Sequence, residues 1–318
     1  MRTRVNLDEL IEEFLEYLEI EKGLAFSTIQ VYRRYLKRFT AWLTAIHAKP
    51  KPEDVTQELV RKYRLYLAHL IGQKGEPLNK VTQSYHIIAL RALLRYLSAQ
   101  RDIATLSPDK IELPKSSSRT VKFLNSDQVE RLLSCPDISK ITGLRDRAIL
   151  ETLFSTGLRV SELARLNRDQ VDLKRKEFGV VGKGAKPRVV FLSDTAAEWI
   201  NRYLESREDY FNPLFIRHSG HVDITRGGEK MRLTPRSIQL IVARYARMSG
   251  LPFRASPHTL RHSFATDLLI EGADIRSVQE MLGHESIRTT QVYTHVTDRQ
   301  LREVHRTFHT RNKRAKPD

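Results

Sequence analysis

Ser256-Pro257-His258-Thr259-Leu260-Arg261-His262-Ser263-Phe264-Ala265-Thr266 reads as the first turns of a helix. Ser256 can cap it, and Pro257 takes the first helical position, where a missing N–H costs nothing. Gly272 closes it. His258 and Arg261 are three apart and so share one face. That spacing sets a group able to move protons near neutral pH beside a planar, permanently charged fork that suits phosphate oxygens. His258 and His262, four apart, also suggest a zinc site. The helical zinc motif needs Glu directly after its first His, and Thr259 stands there. His262 is therefore read as packed or capping.

The flanking sequence extends this helix into a mainly α domain. Thr234-Pro235 opens a helix to about Met248, and shorter helices are expected around 275–282, 287–294 and 298–309. Upstream, Asn125 or Ser126 caps a helix running to Leu133, and Leu144 to Thr156 forms another, stopped by Gly157. Phe178–Val181 and Arg188–Leu192 read as short strands around the hairpin turn Gly182-Lys183-Gly184-Ala185-Lys186-Pro187. Asp194 starts a further helix, and residues 207–232 read as loop, with His218 and His221 solvated.

The first third predicts four helices. Leu7, Leu10, Ile11, Phe14 and Leu18 follow helical spacing. Ser27 can cap a long second helix carrying Ile29, Tyr32, Leu36, Phe39, Leu43 and Ile46, ended by Lys49-Pro50-Lys51-Pro52. Leu59, Tyr63, Leu67 and Leu70 mark a third, and Val81, Tyr85, Ile88, Ala92 and Tyr96 a fourth. Ser107-Pro108, Leu113-Pro114 and Lys115–Arg119 lack periodicity and are rich in breakers, as linkers are. The expected plan is a helical domain over 1–106, a linker over 107–120, a larger helical domain with a small antiparallel sheet over 121–297, and a terminal helix and basic tail over 298–318.

The 318 residues hold 54 Lys and Arg against 38 Asp and Glu, a formal charge of +16. Such a surplus favours a polyanionic partner. No apolar stretch reaches membrane-spanning length, and the first residues lack the apolar core of a signal peptide, so the expectation is a cytoplasmic protein bound to nucleic acid rather than to a membrane. Cys135 is the only cysteine, which excludes an internal disulfide and a cysteine-rich zinc site. Arg33, Arg34, Lys37, Arg38, Arg91, Arg95 and Arg101 suggest a surface that tracks phosphates, although each alone reads as a solvated helix position.

Four clusters carry chemistry: Thr156-Gly157-Leu158-Arg159-Val160-Ser161-Glu162-Leu163, the hairpin Lys183, the His258–Arg261 helix, and Leu282-Gly283-His284 followed by Val292-Tyr293-Thr294-His295. In this order the clusters resemble the tyrosine recombinase (phage integrase) family, most closely its Xer-like bacterial members, from about Leu144 to Thr297. The resemblance implies catalytic roles for Arg159, Lys183, His258, Arg261, His284 and Tyr293, with Tyr293 as nucleophile. The chemistry suits these residue types. A phenol with a pKa near ~10 needs help to attack at neutral pH. Arg159 and Arg261 can stabilise the extra charge of a pentavalent phosphate. His258 can take the phenolic proton, Lys183 can protonate the departing 5′ oxygen, and His284 can add a hydrogen bond. Glu162 can orient Arg159 or His258.

Implied with the family are duplex DNA carrying specific recombination sites, a homotetramer on two paired sites, possible pairing with a second related recombinase, and no cofactor or metal. Residues 207–232 exceed the segment expected in Xer-like chains, and no arm-binding domain is seen before the four helices. Two rival readings stay open: a type IB topoisomerase, which uses the same attack, and a DNA-binding protein that keeps the fold without catalysis.

Overall fold

The computed structural model describes residues 6–47, 49–72, 75–113, 122–182 and 186–283. It is mainly helical and divides into two compact units, Met1–Ser118 and Arg119–Asp318.

The first unit contains α1 (Leu7–Ile20), α2 (Phe26–Thr44), α3 (Gln57–His69) and α4 (Lys80–Gln100). Asn6, Thr56 and Asn79 cap α1, α3 and α4 with side-chain oxygens. Ser27 does not cap α2. Ala25 holds that position without a side-chain bond, and Ser27 lies inside the helix. The buried stripes of α1 and α3 follow the expected spacing. That of α4 does so only in part: Tyr96 is buried and Ala92 packs on the core, but Val81 and Tyr85 are exposed, and His86, Ile87, Leu90, Leu93, Leu94 and Leu97 complete the inward face. The polar His86 disguised this face. It is buried because Tyr63 and Tyr35 receive it, the Tyr63 hydroxyl lying 3.1 Å from Nδ1 and the Tyr35 ring 4.3 Å from the imidazole.

The basic surface of this unit is smaller than its sequence suggested. Arg33 pairs with Glu12, Arg101 with Glu13 at 3.1 Å, and Arg91 and Arg95 share Asp109 at 3.3 and 3.6 Å. Arg34, Lys37 and Arg38 remain as a run on one face of α2 with no acidic partner among the described residues, Arg34 lying over the Tyr35 ring.

The second unit is built around α6 (Ile141–Thr156), buried on nearly all sides. It is joined by α5 (Ser126–Leu133), α7 (Val160–Arg165), α8 (Asp194–Glu205), α9 (Pro235–Met248), α10 (Pro257–Ile270) and α11 (Ile275–Leu282). Strands β1 (Glu177–Val181) and β2 (Pro187–Phe191) form one antiparallel hairpin, with Val180 opposite Arg188. Polar residues within this core are paired. Asp146 accepts from Arg145 at 2.7 Å and from the Tyr245 hydroxyl at 3.0 Å.

The segment 207–232 is loop apart from a 3-10 stretch at Thr225–Met231. Two arginines replace regular structure in holding it. Arg207 donates to the carbonyls of Pro213 and Leu214, and Arg232 to those of Ala164 and Leu166. His218 is not solvated as expected. It is half-buried, with Nε2 3.0 Å from the Tyr203 hydroxyl, and burial, with help from Arg145 and Arg207, pushes its pKa down to about 4. His221 is exposed. No described helix is long and apolar enough to cross a membrane.

Candidate active site

Helix α6 stops at Gly157, whose left-handed backbone (φ 59°) turns the chain inward. Leu158 is buried, and Arg159 takes the N-cap position of α7 in extended geometry. Glu162 then reaches back. Its Oε2 accepts the Arg159 backbone N–H at 2.9 Å and its Oε1 the Arg159 Nη1 at 2.8 Å. A second arginine reaches the same carboxylate from β2: Arg188 donates through Nη1 to Oε1 at 3.1 Å and through Nη2 to Oε2 at 2.9 Å. Burial alone would raise the Glu162 pKa. The hydrogen bonds from Arg188 and Arg159 outweigh it and hold the carboxylate ionised, with a pKa of about 2. Of the two roles expected for Glu162, the structure gives it the orientation of Arg159.

Ser256 and Thr259 cap α10 reciprocally, fixing the helix start on which His258 and Arg261 sit. Arg261 is buried, at 4% exposure, yet its guanidinium is well supplied with acceptors: Nη1 donates to Gly157 O and Nη2 to Leu282 O, both at 2.6 Å. His258 lies nearer the surface. Partial desolvation, then the positive fields of Arg261 and Arg159, pull its pKa below the usual histidine value. A neutral imidazole beside two guanidiniums can accept a proton. His262 is half-buried behind it, its pKa pushed to about 4 by burial and by the charges of His258 and Arg261.

Of the six residues expected at the site, Arg159, His258 and Arg261 are brought together. Lys183, His284 and Tyr293 lie outside the described residues, as do the helices expected over 287–294 and 298–309. The framework leading to two of them is visible. Gly182 closes the hairpin by donating to Lys186 O at 2.9 Å, and Gly283 ends α11 in a left-handed turn (φ 62°). Arg159 Nη2 donates to Gly283 O at 2.9 Å. Arg188 was not foreseen. Nothing in the sequence of a short strand ties it to Glu162, 26 residues away.

The sequence profile of the phage integrase family matches residues 122–300, and that of the phage integrase N-terminal SAM-like domain matches residues 11–101. The tyrosine recombinase XerD of Listeria monocytogenes is 38% identical over 318 residues, covering 96% of this chain and 100% of the relative. The tyrosine recombinase XerD of Lacticaseibacillus casei is 38% identical over 302 residues, covering 95% and 99%. The solved XerH site-specific recombinase, bound to palindromic difH substrate in a post-cleavage complex, shares the fold with a TM-score of 0.69 at 23% identity, covering 96% of this chain and 90% of that one. With both halves matched and an arginine–histidine cluster in the matched region, the chain belongs to the phage integrase family of tyrosine recombinases, enzymes that break and rejoin DNA.

Proposed function

We propose that Tyr293 attacks a backbone phosphate at a specific duplex site, holds the broken end as a 3′-phosphotyrosine and passes it to a second strand through a Holliday junction. The observation that carries this reading is the meeting of Arg159, Arg261 and His258 at the adjoining starts of α7 and α10. Two guanidiniums supply the positive charge that a pentavalent phosphate needs, and the imidazole of His258, within their field, takes the phenolic proton. Lys183 protonates the leaving 5′ oxygen, and His284 adds a hydrogen bond to the phosphate. The bond energy stays in the phosphotyrosine, so neither ATP nor a divalent metal enters the scheme.

The resemblance to XerD chains and to the XerH–difH complex supports duplex recombination sites as substrate, with chromosome-dimer resolution or mobile-element integration as the biological task. Leu301, Val304 and Phe308 form an apolar stripe near the C-terminus that suits head-to-tail docking in a tetramer on two paired sites. Deleting residues 298–318 then spares half-site binding and removes cooperative pairing.

The test is covalent capture. Wild-type protein incubated with nicked genomic duplex fragments is trapped on DNA in denaturing gels, and the attached DNA is sequenced to give the site. Tyr293→Phe gives no adduct and keeps its affinity for the captured duplex. A full adduct yield from the Phe variant overturns the assignment.

A further inference from the structure

Three consecutive carbonyl oxygens at the C-terminal end of α11 each receive a different arginine. Arg188 Nε donates to Met281 O at 3.3 Å, Arg261 Nη2 to Leu282 O at 2.6 Å and Arg159 Nη2 to Gly283 O at 2.9 Å. The last carbonyls of a helix lack partners within it and form the negative end of its dipole, so guanidiniums suit them. Two of these arginines are the proposed phosphate ligands. The third, Arg188, comes from β2, and its side chain is only 11% exposed.

Arg188 has all three of its nitrogens on protein oxygens, those of Glu162 and of Met281. It also lies against two glycines. A Cβ on Gly182 would stand 3.3 Å from Arg188 Nη1 and 3.9 Å from Arg159 Nη1, and one on Gly283 would stand 3.1 Å from both Cδ and Nη1 of Arg188. Gly182 directly precedes Lys183, and Gly283 directly precedes His284. A single guanidinium thus touches the carboxylate that orients Arg159 and the two backbone points from which the chain continues to the other expected catalytic groups.

We propose that Arg188 is a positioning residue for strand cleavage. Its fork fixes Glu162 and through it Arg159, and its packing on Gly182 and Gly283 sets the backbone leading to Lys183 and His284. Lysine cannot replace it. A single ammonium can neutralise Glu162, but it cannot hold both carboxylate oxygens and the Met281 carbonyl in fixed directions.

This inference rests on the roles proposed above for Arg159, Lys183 and Tyr293, and the test separates the two. The full chain carrying Arg188→Lys is assayed on the nicked duplex captured by the wild type, for melting temperature, equilibrium affinity, and adduct rate at saturating protein. The expected result is an unchanged melting temperature and affinity with a rate lower by on the order of 10²-fold, the scale of a small misplacement of reacting groups. Replacing the bridging 5′ oxygen by sulfur should shrink the deficit, because a thiolate leaves without a proton and delivery from the hairpin matters less. Lys183→Ala and Tyr293→Phe are run alongside. If Lys183→Ala is rescued by sulfur and Arg188→Lys cleaves at the wild-type rate, or is equally slow on both substrates, the positioning role is overturned. A rate loss matched by falls in melting temperature and affinity also overturns it, since Arg188 would then only support the fold. Adducts from Tyr293→Phe, or no sulfur rescue of Lys183→Ala, remove the underlying reading and the inference with it.

Discussion

The Arg261 guanidinium is held by the carbonyl oxygen of Gly157, 2.6 Å from Nη1, across 104 residues of sequence. The carbonyl points there because Gly157 adopts a left-handed backbone at the end of α6 (φ 59°). The turn that ends one helix therefore also fixes an arginine on another.

Gly157→Ala should disturb both roles. A side chain in the left-handed region costs about 1–2 kcal/mol. The new Cβ would also stand 2.5 Å from Phe264 Cδ1 and 3.0 Å from Leu282 Cδ2, and crowding of this kind costs about 1–3 kcal/mol. A combined loss of roughly 2–5 kcal/mol is expected in urea unfolding. Adduct formation should fall with it, because Leu282 supplies the second carbonyl that holds Arg261. Wild-type stability in the variant would show that the turn tolerates Cβ.

Arg159→Lys and Arg261→Lys should each retain DNA binding and lose most cleavage. Arg159 serves Glu162 and Gly283 O from separate nitrogens, and Arg261 spans Gly157 O and Leu282 O. An ammonium cannot keep those contacts and also present a fork to a phosphate. Loss of one charged hydrogen bond costs about 1.5–3 kcal/mol, so single-turnover cleavage should slow by at least roughly tenfold, since 1.36 kcal/mol is a factor of ten. EDTA should leave the wild type unaffected. Strong inhibition by EDTA, reversed by a divalent ion, would contradict the metal-free scheme.

The parts of this site differ in how far the sequence exposes them. Arg159, His258 and Arg261 are legible because each sits at a helix start with local punctuation: Gly157 before one, Ser256-Pro257 before the others. Arg188 is not. On a short strand it reads as one more polar position, and its partners Glu162 and Met281 lie 26 and 93 residues away. His218 was misplaced for a related reason. It sits in a segment whose composition is that of a solvated loop, but Arg207 and Arg232 pin that segment to buried carbonyls and Tyr203 receives the imidazole. The helices of the first unit followed from apolar spacing, but the inward face of α4 did so only in part, because His86 interrupts it.

His86 should make the first unit acid-sensitive well above the carboxylate range. Burial, reinforced by Arg38 and Arg34, lowers its pKa from 6.5 to about 4, and it is 2% exposed. The fold thus favours the neutral ring. The stability this provides is complete above pH 6.5 and is lost as pH falls from there toward 4. The loss is about 3 kcal/mol in all. The imidazole signals of the full chain, followed by NMR, should show His86 titrating far below the ordinary histidine value of 6.5. His86→Gln should flatten the acid limb of the melting curve for this unit. An ordinary titration midpoint at His86 would remove the prediction.

Salt dependence should separate the cations of the first unit expected to meet phosphates from those that meet acids. Arg101 pairs with Glu13, and Arg91 and Arg95 share Asp109, so their charges are partly spent within the fold. Lys37 and Arg38 have no acidic partner among the described residues, and with Arg34 they occupy one face of α2 at three- and four-residue spacing. Each phosphate neutralised releases condensed counterions, giving a slope of about −0.9 per contact in a plot of log affinity against log salt. Lys37→Ala and Arg38→Ala should therefore each weaken binding uniformly across sequences and reduce the slope by about 1. Arg101→Ala should leave the slope near the wild-type value, because it removes an internal pair that bears on no phosphate. Fluorescence anisotropy on the captured duplex from low to moderate salt measures all three. Equal slope changes for Arg101→Ala and Lys37→Ala would mean that Glu13 releases its arginine to DNA and that ion pairing in the free protein does not predict the contact surface.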